Sequence, residues 1–115
     1  MFELFIGVGM VTLRVRHAQT LKDRRKAAQS LVKRLRNAGF SVTESGDAEN
    51  LRVACVGFSY AGKAAADVDA VFRQVDPLLL DFEVMEYHKE TVDYTNPEEP
   101  VFSDSILDWR DPDDE

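Results

Sequence analysis

The chain predicts an α+β fold in the order strand, helix, strand, strand, helix, strand, and three observations carry that expectation. Residues 20–39, TLKDRRKAAQSLVKRLRNAG, repeat apolar residues at helical spacing between clear start and stop signals. A long run rich in β-branched and aromatic residues, 2–16, precedes this stretch. Two further runs of that kind, Leu51 to Tyr60 and Phe82 to about Tyr94, bracket a second region of helical periodicity.

In the first run, Phe5, Gly7, Gly9, Val11, Leu13 and Val15 fall on one face. The other face begins apolar with Leu4, Ile6, Val8 and Met10 and ends polar with Thr12, Arg14 and Arg16. A strand apolar throughout on one side only belongs in a sheet with helices on one face and a more open second face. In the helix, Thr20 can accept from first-turn N–H groups, Asp23 stands at the capping-box position, and Gly39 suits the left-handed residue after the last turn. At about 100° per residue, Leu21, Ala28, Leu31, Val32 and Leu35 form a buried stripe. Phe40 to Glu44 is a short strand, followed by turn chemistry in Ser45, Gly46 and Asp47. Leu51 to Tyr60 is apolar on both faces except for Arg52 and Ser59. A second helix opens at Gly62 and runs to about Leu79, with Val68, Val71, Phe72 and Val75 inward and Pro77 breaking or kinking its last turn. Right-handed crossovers then place both helices on one face of an antiparallel sheet, the ferredoxin-like βαββαβ arrangement. Residues 1–95 make one domain, and 96–115 form an acidic C-terminal tail, disordered or docking.

Charge is distributed unevenly. The net charge is −7, yet residues 14–36 hold nine of the 14 Lys and Arg and one of the 21 acids. Lys22, Arg25, Lys26, Gln29, Lys33 and Arg36 line one flank of the first helix, a strip about 100° wide beside the buried stripe. With Arg14 and Arg16 they are the candidate phosphate contacts, suited to salt-dependent and largely sequence-independent binding of nucleic acid. The alternative reading is a solvated helix face balanced by the protein's own acids. The tail supplies such acids, but Val101, Phe102, Ile106, Leu107 and Trp109 interrupt them. A tail that docks on the basic helix would compete with an anionic ligand, so deleting residues 96–115 would raise affinity for RNA.

The segment Thr20-Leu21-Lys22-Asp23-Arg24-Arg25-Lys26 resembles the S-L-K-[DE]-K-R motif that opens the first helix in the bacterial YlxP-like family. The following SLVKRLRNAGFSVTES and the later LRVACVGFS are similar to that family as well, so the resemblance spans roughly residues 8 to 90. It implies a ferredoxin-like fold and a link to translation or ribosome maturation, and it brings no catalytic residues. This chain differs in Thr20 for Ser, in lacking the aromatic usual before the third strand, and in its acidic extension.

Other chemistry is sparse. Gly57-Phe58-Ser59-Tyr60-Ala61-Gly62-Lys63-Ala64 comes within one residue of a phosphate-binding loop, but Ala64 lacks the hydroxyl that would meet magnesium, and Phe58 and Tyr60 are bulky for a tight cradle. The same aromatics resemble the base-stacking strand of RNA-recognition domains only in part, since Val56 stands where Lys or Arg is expected; packing in a core or interface is the favoured role. His17 and His88 are isolated, without metal-ligand spacing. Cys55, the single cysteine, lies in an apolar run and reads as a buried, inert thiol in a reducing compartment. No run of 18 apolar residues could span a membrane, and the N-terminus has no positively charged leader region.

These readings converge on a cytoplasmic, non-enzymatic accessory protein without metal or cofactor, associated with RNA, with rRNA or a ribosomal particle as partner. Its nucleic-acid contacts would be Arg14, Arg16, Lys22, Arg25, Lys26, Lys33 and Arg36. The alternative is a homo-oligomeric interaction module, a homodimer through the open sheet face, using Leu4, Ile6, Val8, Met10, Phe58, Tyr60 and Trp109.

Overall fold

The computed structural model describes residues 3–45 and 50–95. Seven elements follow in order: β1 (Phe5–Arg14), α1 (Leu21–Asn37), β2 (Ser41–Ser45), β3 (Val53–Gly62), α2 (Ala65–Phe72), α3 (Val75–Leu78) and β4 (Glu83–Asp93). The strands form one antiparallel sheet in the order β2-β3-β1-β4, the ferredoxin-like topology. The expected tail, 96–115, lies outside the described residues, as does the turn at 46–49.

The helices cover the sheet face predicted from β1. Val11 and Leu13 pack with Ala28, Leu31, Val32 and Leu35 of α1, Ala54, Val56 and Phe58 of β3, and Val68 and Phe72 of α2. Two glycines make that packing possible. A Cβ on Gly7 would come within 2.6 Å of Val68 Cγ1 and also meet the Phe72 ring, and one on Gly9 would run into the Phe58 ring. The alternating glycines thus let α2 and a phenyl ring lie directly on the β1 backbone. Phe40 closes the cluster, edge-on to Phe58 and Phe72 with both centroids 5.0 Å away.

The ends of α1 follow the sequence signals. Asp23 N–H donates to Thr20 Oγ1 at 3.1 Å, and Asp23 Oδ2 accepts from Gln19 N–H at 2.9 Å. At the other end Gly39 has φ 106°, Phe40 N–H donates to Leu35 O and Gly39 N–H to Arg36 O, the paired bonds of a Schellman stop.

Three expectations require correction. The second helix is two pieces, because Pro77 lacks an N–H and its ring crowds the carbonyl four residues back, Arg73, where the break falls. Phe58 and Tyr60 are not on the open sheet face. Phe58 pairs with Gly9 and Tyr60 with Gly7, which turns both rings toward the helices, Phe58 into the core and Tyr60 half-buried against Phe40. Conversely, Cys55 is opposite Thr12 on the open face and only half-buried, so it is not a core thiol.

Candidate nucleic-acid interface

The helix flank is built by the same packing that makes the core. With Ala28, Leu31, Val32 and Leu35 fixed against β2 and β3, the geometry of an α-helix leaves Lys22, Arg25, Lys26, Lys33 and Arg36 exposed in a row about 21 Å long, on the side toward β2. Gln29, within the row, donates to Glu44 of β2 at 3.1 Å, and Arg36 Nη2 reaches Val42 O at 3.4 Å. Among the described residues, none of these five cations forms an ion pair with a carboxylate. Like charges at i,i+3 and i,i+4, such as Lys22 with Arg25 and Lys26, each cost a few tenths of a kcal/mol on an isolated helix.

The remaining cations of α1 have structural work. Arg34 donates to Asp81 Oδ2 at 2.8 Å and lies over the Phe82 ring, 5.1 Å from its centroid, clamping the helix to the start of β4. Arg24 is 6% exposed, the one buried charged residue among those described, and its Nη1 donates to Asn50 O at 3.0 Å. So within the TLKDRRK segment Thr20 and Asp23 cap the helix, Arg24 holds the start of β3, and of its four cations Lys22, Arg25 and Lys26 face solvent.

The seven predicted phosphate contacts therefore divide into two groups. Lys22, Arg25, Lys26, Lys33 and Arg36 form the helix flank. Arg14 and Arg16 are elsewhere, at the corner where the end of β1 meets the starts of β3 and β4. Glu83 accepts from Arg16 Nε at 2.6 Å and Nη2 at 2.7 Å, and its Oε2 is 3.5 Å from Arg14 Nε. The hydrogen bonds from Arg16 hold the Glu83 carboxyl below its usual range and raise the guanidinium in turn. Sequence reasoning missed Arg52, which joins this corner; its one signal was a lone cation at the mouth of an apolar strand.

Of the predicted interface residues, Val8 and Met10 are 44% and 39% exposed on the open sheet face, with Leu4 and Ile6 half-buried in the same row. Trp109 lies outside the described residues. The loop-like stretch ending at Ala64 is mostly strand: β3 continues to Gly62, which pairs with Phe5, so its backbone N–H groups are not arranged as a phosphate cradle. His88 contacts Glu86 at 2.5 Å and His17 is exposed. Among the described residues no group of three or more His, Cys, Asp or Glu could hold a metal, and no helix is long and apolar enough to cross a membrane.

The model of the family described as "Protein of unknown function (DUF503)" matches residues 6–92, and the chain belongs to that family, of which the YlxP-like proteins are the bacterial members. No curated protein matches the chain. Among solved structures, a protein described as an antibiotic biosynthesis monooxygenase from Nitrosomonas europaea is 11% identical, with a TM-score of 0.41 over 84% of this chain and 92% of the other. The de novo designed protein Foldit4 is 15% identical, with a TM-score of 0.36 over 78% and 96% of the two chains.

Proposed function

We propose that this member of the family of unknown function is an RNA-associated accessory protein that holds phosphates along the exposed flank of α1, with rRNA or a ribosomal particle as its partner. The observation behind the reading is the contrast within one helix. Arg24 and Arg34 are engaged by the protein itself, whereas Lys22, Arg25, Lys26 and Lys33 form no ion pair with a carboxylate among the described residues. A helix needed only for packing would dilute that repulsion with acids. The flank carries no Leu, Phe or Trp to enter a bilayer, which favours a polyanion in water over a membrane surface.

The test is the salt dependence of binding to short single-stranded RNA. Five phosphate contacts predict a slope of log K against log salt of about −3.5, and Lys22→Glu, Arg25→Glu and Lys33→Glu together reduce its size by about 2. A triple variant that binds like the wild type sinks the proposal.

A second reading draws on the Leu4, Ile6, Val8 and Met10 row, which lies beside the small residues Gly57, Ser59 and Ala61 of β3. That is a flat surface suited to a second copy of the chain. If a dimer forms there, Val8→Glu lowers the mass measured by light scattering to that of one chain while the RNA affinity per chain is retained.

A further inference from the structure

The open face of the sheet changes character at one corner. Along β1 it is apolar as far as Met10, and then Thr12, Arg14 and, beyond the strand, Arg16 follow on the same side. Arg14 is in register with Val53 of β3 and Glu83 of β4, so three strand ends meet there. Between them is a cleft of about 430 Å³ lined by Arg14, Arg16, Asn50, Arg52, Val53 and Met85. That volume lies within the roughly 300–1,000 Å³ of small-molecule sites.

Each wall is held in place by its neighbours. Arg52 is positioned through its backbone: Val15 N–H donates to Arg52 O at 2.7 Å, and Arg52 N–H donates to Asn50 Oδ1 at 3.1 Å. Asn50 is in turn tied to the buried guanidinium of Arg24. On the opposite wall Glu83 takes two of the five N–H donors of Arg16 and leaves three without a partner among the described residues. One carboxylate thus orients two guanidinium groups without neutralising the corner, since among the described residues three arginines against one glutamate leave a local charge of +2.

The apolar surface has its own cause. In the β1–β4 pairing Thr12 faces Glu86 and Leu13 faces Val84, so Met85 is the extra residue of a β-bulge. Bulges re-aim side chains, and this one turns Met85, 47% exposed, into the cleft beside Val53. A thioether and an isopropyl group next to three guanidinium groups offer a planar ring a soft surface and an anion a fork of N–H donors.

We propose that this corner binds a 5′-nucleotide end, with the phosphate monoester dianion on Arg14, Arg16 and Arg52 and the base on Met85 and Val53. The local +2 suits a monoester dianion better than the single charge of a backbone phosphodiester, which separates this site from the α1 flank. It uses different residues from the flank, so either assignment can fail without the other.

The source of that chemistry is a free nucleoside monophosphate or the 5′-phosphorylated end of an RNA, and one experiment distinguishes them. The full chain, labelled at its methionine methyls, is titrated with AMP and with adenosine. AMP shifts the Met85 methyl saturably and leaves Met10 unmoved, while adenosine at equal concentration shifts neither. Arg52→Gln weakens AMP by about tenfold or more, whereas Lys22→Gln with Lys33→Gln leaves it unchanged. Arg52 is exposed, and an unchanged Met10 signal reports that the variant is folded. Displacement of AMP by a short RNA bearing a 5′-phosphate, but not by its 5′-hydroxyl twin, identifies an RNA end. AMP binding without such displacement identifies a free nucleotide. No saturable Met85 shift up to about 10 mM AMP, or unaltered affinity in Arg52→Gln, overturns the proposal.

Discussion

Replacing Arg24 by Met tests whether the buried guanidinium is a fastener. Methionine keeps an unbranched apolar stem of similar reach and carries no charge, so the packing of this buried position of α1 is largely retained. The loss includes the hydrogen bond from Nη1 to Asn50 O, 3.0 Å long, made by a side chain only 6% exposed. A bond involving a charged donor contributes about 1.5–3 kcal/mol, and the Asn50 carbonyl keeps only a long 3.5 Å contact from Val53 N–H. Taking about 2 kcal/mol and roughly 5 °C per kcal/mol for a domain near 100 residues, Tm falls on the order of 10 °C. Urea unfolding should show the same loss with an unchanged slope, because the folded surface is otherwise the same. The variant should also bind AMP more weakly although Arg24 does not line the cleft, since Asn50 no longer holds Arg52 in place. A variant within about 0.5 kcal/mol of the wild type refutes the idea that this bond secures the start of β3.

Two other expectations concern the core. Gly9→Ala should destabilise by about 1–3 kcal/mol, as the new methyl displaces the Phe58 ring and with it the Phe40 and Phe72 contacts; a melting temperature equal to or above that of the wild type excludes that packing. Tyr87 stacks on Phe58 at 6.4 Å with its hydroxyl buried and without a hydrogen-bond partner among the described residues, and burial, with a smaller effect of Asp76, pushes its pKa up to about 12. The phenol is neutral in the folded state up to a higher pH than in the unfolded chain. Its contribution is therefore complete below pH 10 and is lost as pH rises toward 12. Urea unfolding at pH 8, 10 and 12 should show the wild type losing stability relative to Tyr87→Phe only in the upper interval, and parallel losses contradict this.

The fold was legible because its signals are local and periodic. The two-residue alternation in β1 separates Val11 and Leu13 from Val8 and Met10, and Thr20 and Gly39 mark α1 to within a residue. Register was not legible. Whether Phe58 points at the helices or at the open face depends on its pairing with Gly9, and a shift of one residue would reverse it. Distant partners were hidden for the same reason. Nothing near Arg24 in sequence indicates that Asn50 will stand beside it, and nothing near Arg14 indicates Arg52.

That distinction matters most for the cations. Helical arithmetic puts Lys33 in the flank and leaves Arg34 outside it, but only the fold shows that Arg34 is held by Asp81 and Phe82 while Lys33 has no ion-pair partner among the described residues. In the sequence Arg14 and Arg16 group with the helix flank as candidate phosphate contacts; the end of β1 carries them instead to a corner where one glutamate organises them. A row of unpaired cations and a compact +2 corner do different things with an anion. Along the flank, each contact adds one increment of salt dependence and little geometric demand. At the corner, Glu83 orients the guanidinium groups of Arg14 and Arg16 and the Arg24-held loop positions the Arg52 backbone, so affinity there depends on the shape and charge of one group. Losing Arg52 should therefore discriminate between 5′-phosphate and 5′-hydroxyl ends, whereas losing Lys33 should weaken both alike.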